Sequence, residues 1–184
     1  MDAAPEALHD DRLALAGALA FGAFMAGQMV VDGRRVSIGV ATALTAALAP
    51  FVSGVEPVFL PQRRFPAGHG TLAVGTDPGG LQELMSEASA QVGLEVCPGD
   101  QATGRMLVGR TMRLASNATA LRNLAATING ARVYPEAAVA VLFAEDLGCD
   151  HLVIRADAAL DAMRPAFIAA GLRLDVLPPI SSGR

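Results

Sequence analysis

Charged residues are absent from residues 13–31 and again from residues 36–55, and only Asp32, Gly33, Arg34 and Arg35 separate the two runs. Each run is long enough to cross the hydrocarbon core of a bilayer as a helix. Small residues such as Gly17, Gly22, Ala26 and Gly27 would let two such helices approach closely. The pattern predicts an N-terminal helical hairpin, expected to be transmembrane. Against it, alanine and glycine contribute little to insertion, and Gln28 and Pro50 interrupt the runs. The stretch from Val30 to Val36 also suits a tight β-hairpin turn in a soluble fold whose first helices are buried. The first 12 residues are acidic and polar, as a solvated lead-in or a first helical turn would be.

From residue 56 to 70 the pattern changes. Pro57, Pro61, Pro66, Gly68 and Gly70 accompany Arg63 and Arg64, which places a boundary between residues 1–56 and 57–184. Beyond it, apolar runs predict strands at 71–75, 105–114, 131–134, 151–155 and 172–177, and helices at about 79–92, 117–129, 136–147 and 157–170. Such alternation predicts an α/β layer architecture. The second of these helices presents Leu121, Leu124 and Ile128 on one face and can be capped by Ser116 or Asn117. The last presents Leu160, Met163 and Phe167, and Pro165 should bend or shorten it. The tail from Pro178 reads as an extended, frayed end.

Composition sharpens this picture. Hydrophobic residues make up 52% and aromatics 4%, and the mean hydropathy is +0.41. The excess is alanine and glycine, which points to a membrane segment or to an unusually buried helix pair. A net charge of −4 and a pI near 5.3 leave no basic footprint for nucleic acid. Cys97 and Cys149 have no CxxC spacing and read as buried thiols, while His9, His69 and His151 are too scattered to suggest a metal site. The acidic start argues against a cleaved secretory signal.

Candidate chemistry concentrates between Phe65 and Met85, FPAGHGTLAVGTDPGGLQELM. A turn, a short apolar strand, a glycine-rich loop from Gly75 to Gly80 and a helix starting near Leu81 follow one another. Phosphate-binding loops are built this way, because successive N–H groups and a helix N-terminus converge on an anion. The Gly75-x-x-x-x-Gly80 spacing is that of a Walker A loop, but Leu81 stands where lysine would reach the phosphates and Gln82 where a hydroxyl would hold magnesium. Weak anion binding by the Gly79 and Gly80 N–H groups remains open, opposed by the Asp77 carboxylate. A purely structural Asp-Pro-Gly-Gly turn is the alternative. Glu136, following Pro135, suits a helix first turn. Glu145, Asp146 and Asp150 suit a solvated helix end, and Ser116, Ser181 and Ser182 have no His and Asp context for nucleophilic catalysis.

In their order along the chain, these stretches resemble an ABC transporter of the exporter type. Residues 29–51, MVVDGRRVSIGVATALTAALAPF, look like the last two transmembrane helices with their short outside loop. Residues 57–75, PVFLPQRRFPAGHGTLAVG, look like the strand pair entering the Walker A loop. Residues 105–143 resemble the piece leading to the Q-loop, where Val133-Tyr134-Pro135-Glu136 puts Glu136 in the glutamine's place. Residues 156–178 resemble the start of the helical subdomain. The resemblance implies a truncated or degenerate subunit: a membrane hairpin, then a partial P-loop-like nucleotide-binding domain. ATP and magnesium would be its cofactors, with Gly75, Gly79, Gly80, Leu81, Gln82 and Glu136 as binding positions and hydrolysis impaired or absent. It further implies a partner, either a second ABC subunit or another copy of the chain, and a place in the cytoplasmic membrane. Both chain ends would then face the cytoplasm, with Arg12, Arg63 and Arg64 on that side and Arg34 and Arg35 on the other. The alternative is a soluble, cytoplasmic α/β binding or scaffolding module without catalytic activity.

Overall fold

The computed structural model describes residues 4–6, 8–59, 65, 68–99, 106–126 and 133–179. Neither charge-free run forms one long helix. The first folds as α1 (Asp10–Phe21), a 3-10 turn (Gly22–Phe24) and β1 (Gly27–Val30). The second gives β2 (Val36–Ser37), α2 (Ile38–Ala47) and β3 (Val52–Glu56), with β4 (Val58–Phe59) after it. Local chemistry makes the breaks. Gly27 adopts φ +81°, a left-handed conformation suited to glycine. The Ser37 hydroxyl accepts from the Val40 N–H at 3.4 Å and starts α2. β1 pairs in parallel with β3, and β2 with β4. Among the described residues, no helix is long and apolar enough to cross a membrane. The expected transmembrane hairpin is thus corrected to two short helices interleaved with paired strands.

The rest of the chain continues as β5 (Gly70–Gly75), α3 (Pro78–Glu87), β6 (Val92–Pro98), β7 (Met106–Val108), β8 (Thr111–Ser116), α4 (Ala118–Ala126), α5 (Pro135–Phe143) and β9 (Cys149–Arg155). A 3-10 segment (Ala158–Met163), α6 (Arg164–Ala169) and β10 (Arg173–Leu177) close it. β5 to β10 form one sheet in the order β10-β9-β5-β6-β8-β7, parallel throughout except for the β7–β8 hairpin. The chain leaves β5 toward β6 and β8, then crosses back to β9 and β10 on the other side. Crossovers of one hand made in opposite directions carry their helices to opposite faces. Ala73 and Val153 accordingly pack under Leu81, Leu84 and Met85 of α3. Leu72, Val74, Leu94, Leu152 and Ile154 join the larger core with α5, α6 and the N-terminal helices. The coarse α/β expectation holds.

The apolarity that suggested a bilayer lies inside the protein. α5 is buried from Pro135 through Val141 and again at Phe143, and α1, itself largely buried, packs along it. A helix apolar on all sides needs either lipid or protein around it, and here protein surrounds it. The charged start of α1 is also interior rather than solvated. Asp11 Oδ1 accepts from the Ser37 N–H at 2.6 Å, and Asp10 accepts from the Arg35 N–H at 3.1 Å. Arg12 donates from Nε to the Ala170 carbonyl at 3.4 Å, and its Nη1 lies 3.7 Å from Glu145.

Other boundaries move for local reasons. The 105–114 strand is a hairpin turning at Gly109, which has φ +61°. Pro165 sits in the first turn of α6, and the residues before it wind as a 3-10 segment. Tyr134 and Pro135 lead straight into α5, so the short strand expected at residues 131–134 has no counterpart at Val133 and Tyr134. Pro61, Arg63, Arg64, Pro66, Ile128, Ser181, Ser182 and residues 131 and 132 lie outside the described residues.

Candidate functional site

β5 is the strand from which the chain winds both ways, and its neighbours β6 and β9 diverge in connectivity. In open α/β sheets such a switch point leaves a crevice beyond the carboxyl ends of the strands. A crevice of about 270 Å³ lies there, lined by the end of β5, the start of α3, the end of β9, and by Arg122 and Glu136.

Each wall has a local cause. A Cβ at Gly75 would meet the Leu81 Cβ at 3.1 Å, so the glycine lets strand and helix close on each other. Asp77 is the N-cap of α3: its Oδ1 accepts from the Gly80 N–H at 2.7 Å, and its carbonyl accepts from the Leu81 N–H at 3.1 Å. Pro78 occupies the first helical turn, where a missing N–H costs nothing. The helix therefore begins three residues before the expected start at Leu81. Only Thr76 and Asp77 separate β5 from α3, so Gly79 and Gly80 belong to a helical turn and not to a loop wrapped around phosphate.

Two arginines enter the crevice from elements far apart in sequence. Arg155, the last residue of β9, donates to the Pro178 carbonyl at 3.2 Å and is ion-paired with Glu87, while its Nε has no hydrogen-bond partner. Arg122 of α4 places an Nη 2.6 Å from Glu136 Oε1. That contact is an ion pair without the alignment of a directed hydrogen bond. Glu136 itself is only 3% exposed.

No protein-family model matches the chain, and no curated protein or solved structure matches it either.

Of the residues singled out from the sequence, Gly75, Gly80, Leu81 and Glu136 line this one crevice. Gly79 lies in the first turn of α3, where an added Cβ would make only an ordinary 3.6 Å contact with Asp77. Gln82 turns to a second hollow, of about 340 Å³, shared with Glu95, Thr111 and Arg113. Arg122, Arg155 and the cap role of Asp77 were missed. Arg155 had a readable signal, a lone charge closing the apolar run Leu152 to Ile154.

The second hollow holds a charge pair with a buried carboxylate and a half-exposed arginine. Glu95, at 4% exposure in the middle of β6, is gripped at two points by Arg113, at 2.9 Å and 3.1 Å. The Cys97 thiol donates to the same carboxylate at 3.4 Å. Burial first, and then Glu95, push the Cys97 pKa up, while burial raises that of Cys149 to about 11. Neither sulfur is poised as a thiolate nucleophile. Among the described residues, no cluster of three His, Cys, Asp or Glu side chains could hold a metal ion.

Proposed function

We propose that this chain is an α/β binding module whose switch-point crevice takes a small ligand bearing one acidic group. The observation that carries this is the entry of Arg122 and Arg155, from α4 and β9, into one crevice at the N-terminus of α3. A guanidinium offers five N–H donors, so each arginine can keep its protein carboxylate and still meet a ligand oxygen. The volume suits a small metabolite and lies below the usual range for drug-sized ligands.

A nucleoside triphosphate suits the crevice poorly. No lysine follows Gly80, the glycines are taken up in a helical turn, and Asp77 and Glu136 add negative charge where phosphates would sit. The exporter reading therefore rests on residue order alone. Calorimetric titration with small carboxylates and phosphate monoesters tests the proposal. Saturable binding that Arg155→Gln weakens about tenfold is expected. Absence of saturable binding, or binding indifferent to Arg155→Gln, would overturn it.

A further inference from the structure

β10 ends the six-stranded sheet, and β9 is the strand it pairs with. On the β9 side, the Leu177 carbonyl accepts from the Ala156 N–H at 3.1 Å. Backbone groups alternate between the two sides of a strand, so Arg173, Asp175 and Leu177 serve β9, while Leu174 and Val176 aim theirs outward. Among the described residues, no hydrogen-bond partner meets those outward groups. An edge of this kind is a template for a further strand.

The side chains of β10 say which strand fits. Leu174 is buried in the core, so Arg173 and Asp175 share the opposite face, with side chains 64% and 53% exposed. Two copies of β10 related by a two-fold axis run antiparallel. With the axis at Leu174, Arg173 of each copy lies directly opposite Asp175 of the other, at the closely spaced pairs where opposite charges stabilise a sheet. Neighbouring registers are worse. An axis at Arg173 opposes two arginines, and an axis at Asp175 opposes two aspartates. An axis at Val176 sets Leu174 against Pro178, which has no N–H to give. Within one chain Arg173 already meets Asp150 at 3.0 Å, and Asp175 meets His151 at 2.9 Å and Arg164 at 3.5 Å. A guanidinium and a carboxylate each have hydrogen-bonding capacity for a second partner.

We infer that this chain forms a two-fold dimer through β10, with the two sheets joined into one across an antiparallel β10–β10 pair centred on Leu174. Sedimentation velocity of the whole chain from about 1 to 100 μM should show a monomer passing into a dimer. Arg173→Asp and Asp175→Arg should each weaken dimerisation at least about tenfold, because each sets like charges opposite one another. Mixing the two variants should restore the dimer, since every cross-strand pair between them is again oppositely charged. A wild-type chain that stays monomeric would overturn the inference, as would dimers indifferent to both variants or a mixture that stays monomeric. Hydrogen exchange on the wild-type chain decides without any variant. The Leu174 and Val176 amides should exchange at least about tenfold more slowly at the high concentration than at the low one. Exchange in β10 that does not change with concentration would sink the inference even if a dimer forms through another surface.

Discussion

Raising the pH should destabilise this protein through Cys149 in a window where few other groups titrate. Cys149 begins β9, is 1% exposed, and its Sγ donates to the Leu147 carbonyl at 3.3 Å. Burial, assisted by the neighbouring Asp150 charge, lifts its pKa from an ordinary 9.0 to about 11. Above pH 9 the unfolded chain releases this proton while the folded protein holds it. The unfolded state then binds fewer protons, so stability falls as pH rises. It is fully present below pH 9 and is lost progressively up to about 11. Two pKa units correspond to about 3 kcal/mol, a large part of the 5–15 kcal/mol typical of a domain. All 14 basic side chains are arginines and there is one tyrosine, so lysine titration does not blur the window. Urea unfolding followed by circular dichroism, under reducing conditions at pH 8, 9, 10 and 11, should show this loss. Cys149→Ala should flatten most of the slope. Buried Cys97, raised in the same direction, should account for much of the remainder. Superimposable pH profiles for wild type and Cys149→Ala would refute the reasoning.

Other perturbations test the same picture. Asp77→Ala removes the α3 cap and should cost about 1 kcal/mol in urea unfolding, whereas Asp77→Asn keeps a capping oxygen and should melt close to wild type. If the crevice binds an acidic group, Asp77→Asn should also tighten calorimetric affinity for it. A unit charge removed at roughly 6 Å, with a dielectric between surface and bulk values, is worth about 1.4 kcal/mol, or about tenfold. Arg113→Ala strands the buried Glu95 carboxylate and should destabilise by about 3 kcal/mol, with part recovered on adding Glu95→Gln, as a double-mutant cycle would measure. A labelled ATP analogue with magnesium should show no saturable binding in the micromolar range. Such binding would restore the phosphate-loop reading of Gly75 to Gly80.

What could be read from residues alone was local. The apolar run from Thr71 to Val74 breaks at Gly75, and Pro135 opens α5, so these elements lie close to where the pattern puts them. β6 was hidden, although it sits near the centre of the sheet, because Glu95 interrupts its apolar pattern between Gly93 and Pro98. Arg113 on the neighbouring strand, with the Cys97 thiol, makes that carboxylate tolerable, and strand pairing has no periodicity to announce it. The crevice was half legible for the same reason. Gly75, Gly80 and Leu81 are close in sequence, whereas Arg122, Glu136 and Arg155 meet them only through the order of the strands. The two long apolar runs misled because a helix buried in protein and one buried in lipid present the same composition.

The β2–β4 pairing joins Val36 to Val58 and Ser37 to Phe59, straddling the boundary that composition draws at residue 57. A cut there would sever a strand pair and strip α1 from α5 and α2 from α6. Evolution could not have added or shed the first 56 residues as a cassette without re-covering the apolar helices they shield. The N-terminal segment is therefore best regarded as the second wall of a shared interior, and calorimetry of the intact chain should record one transition for both parts.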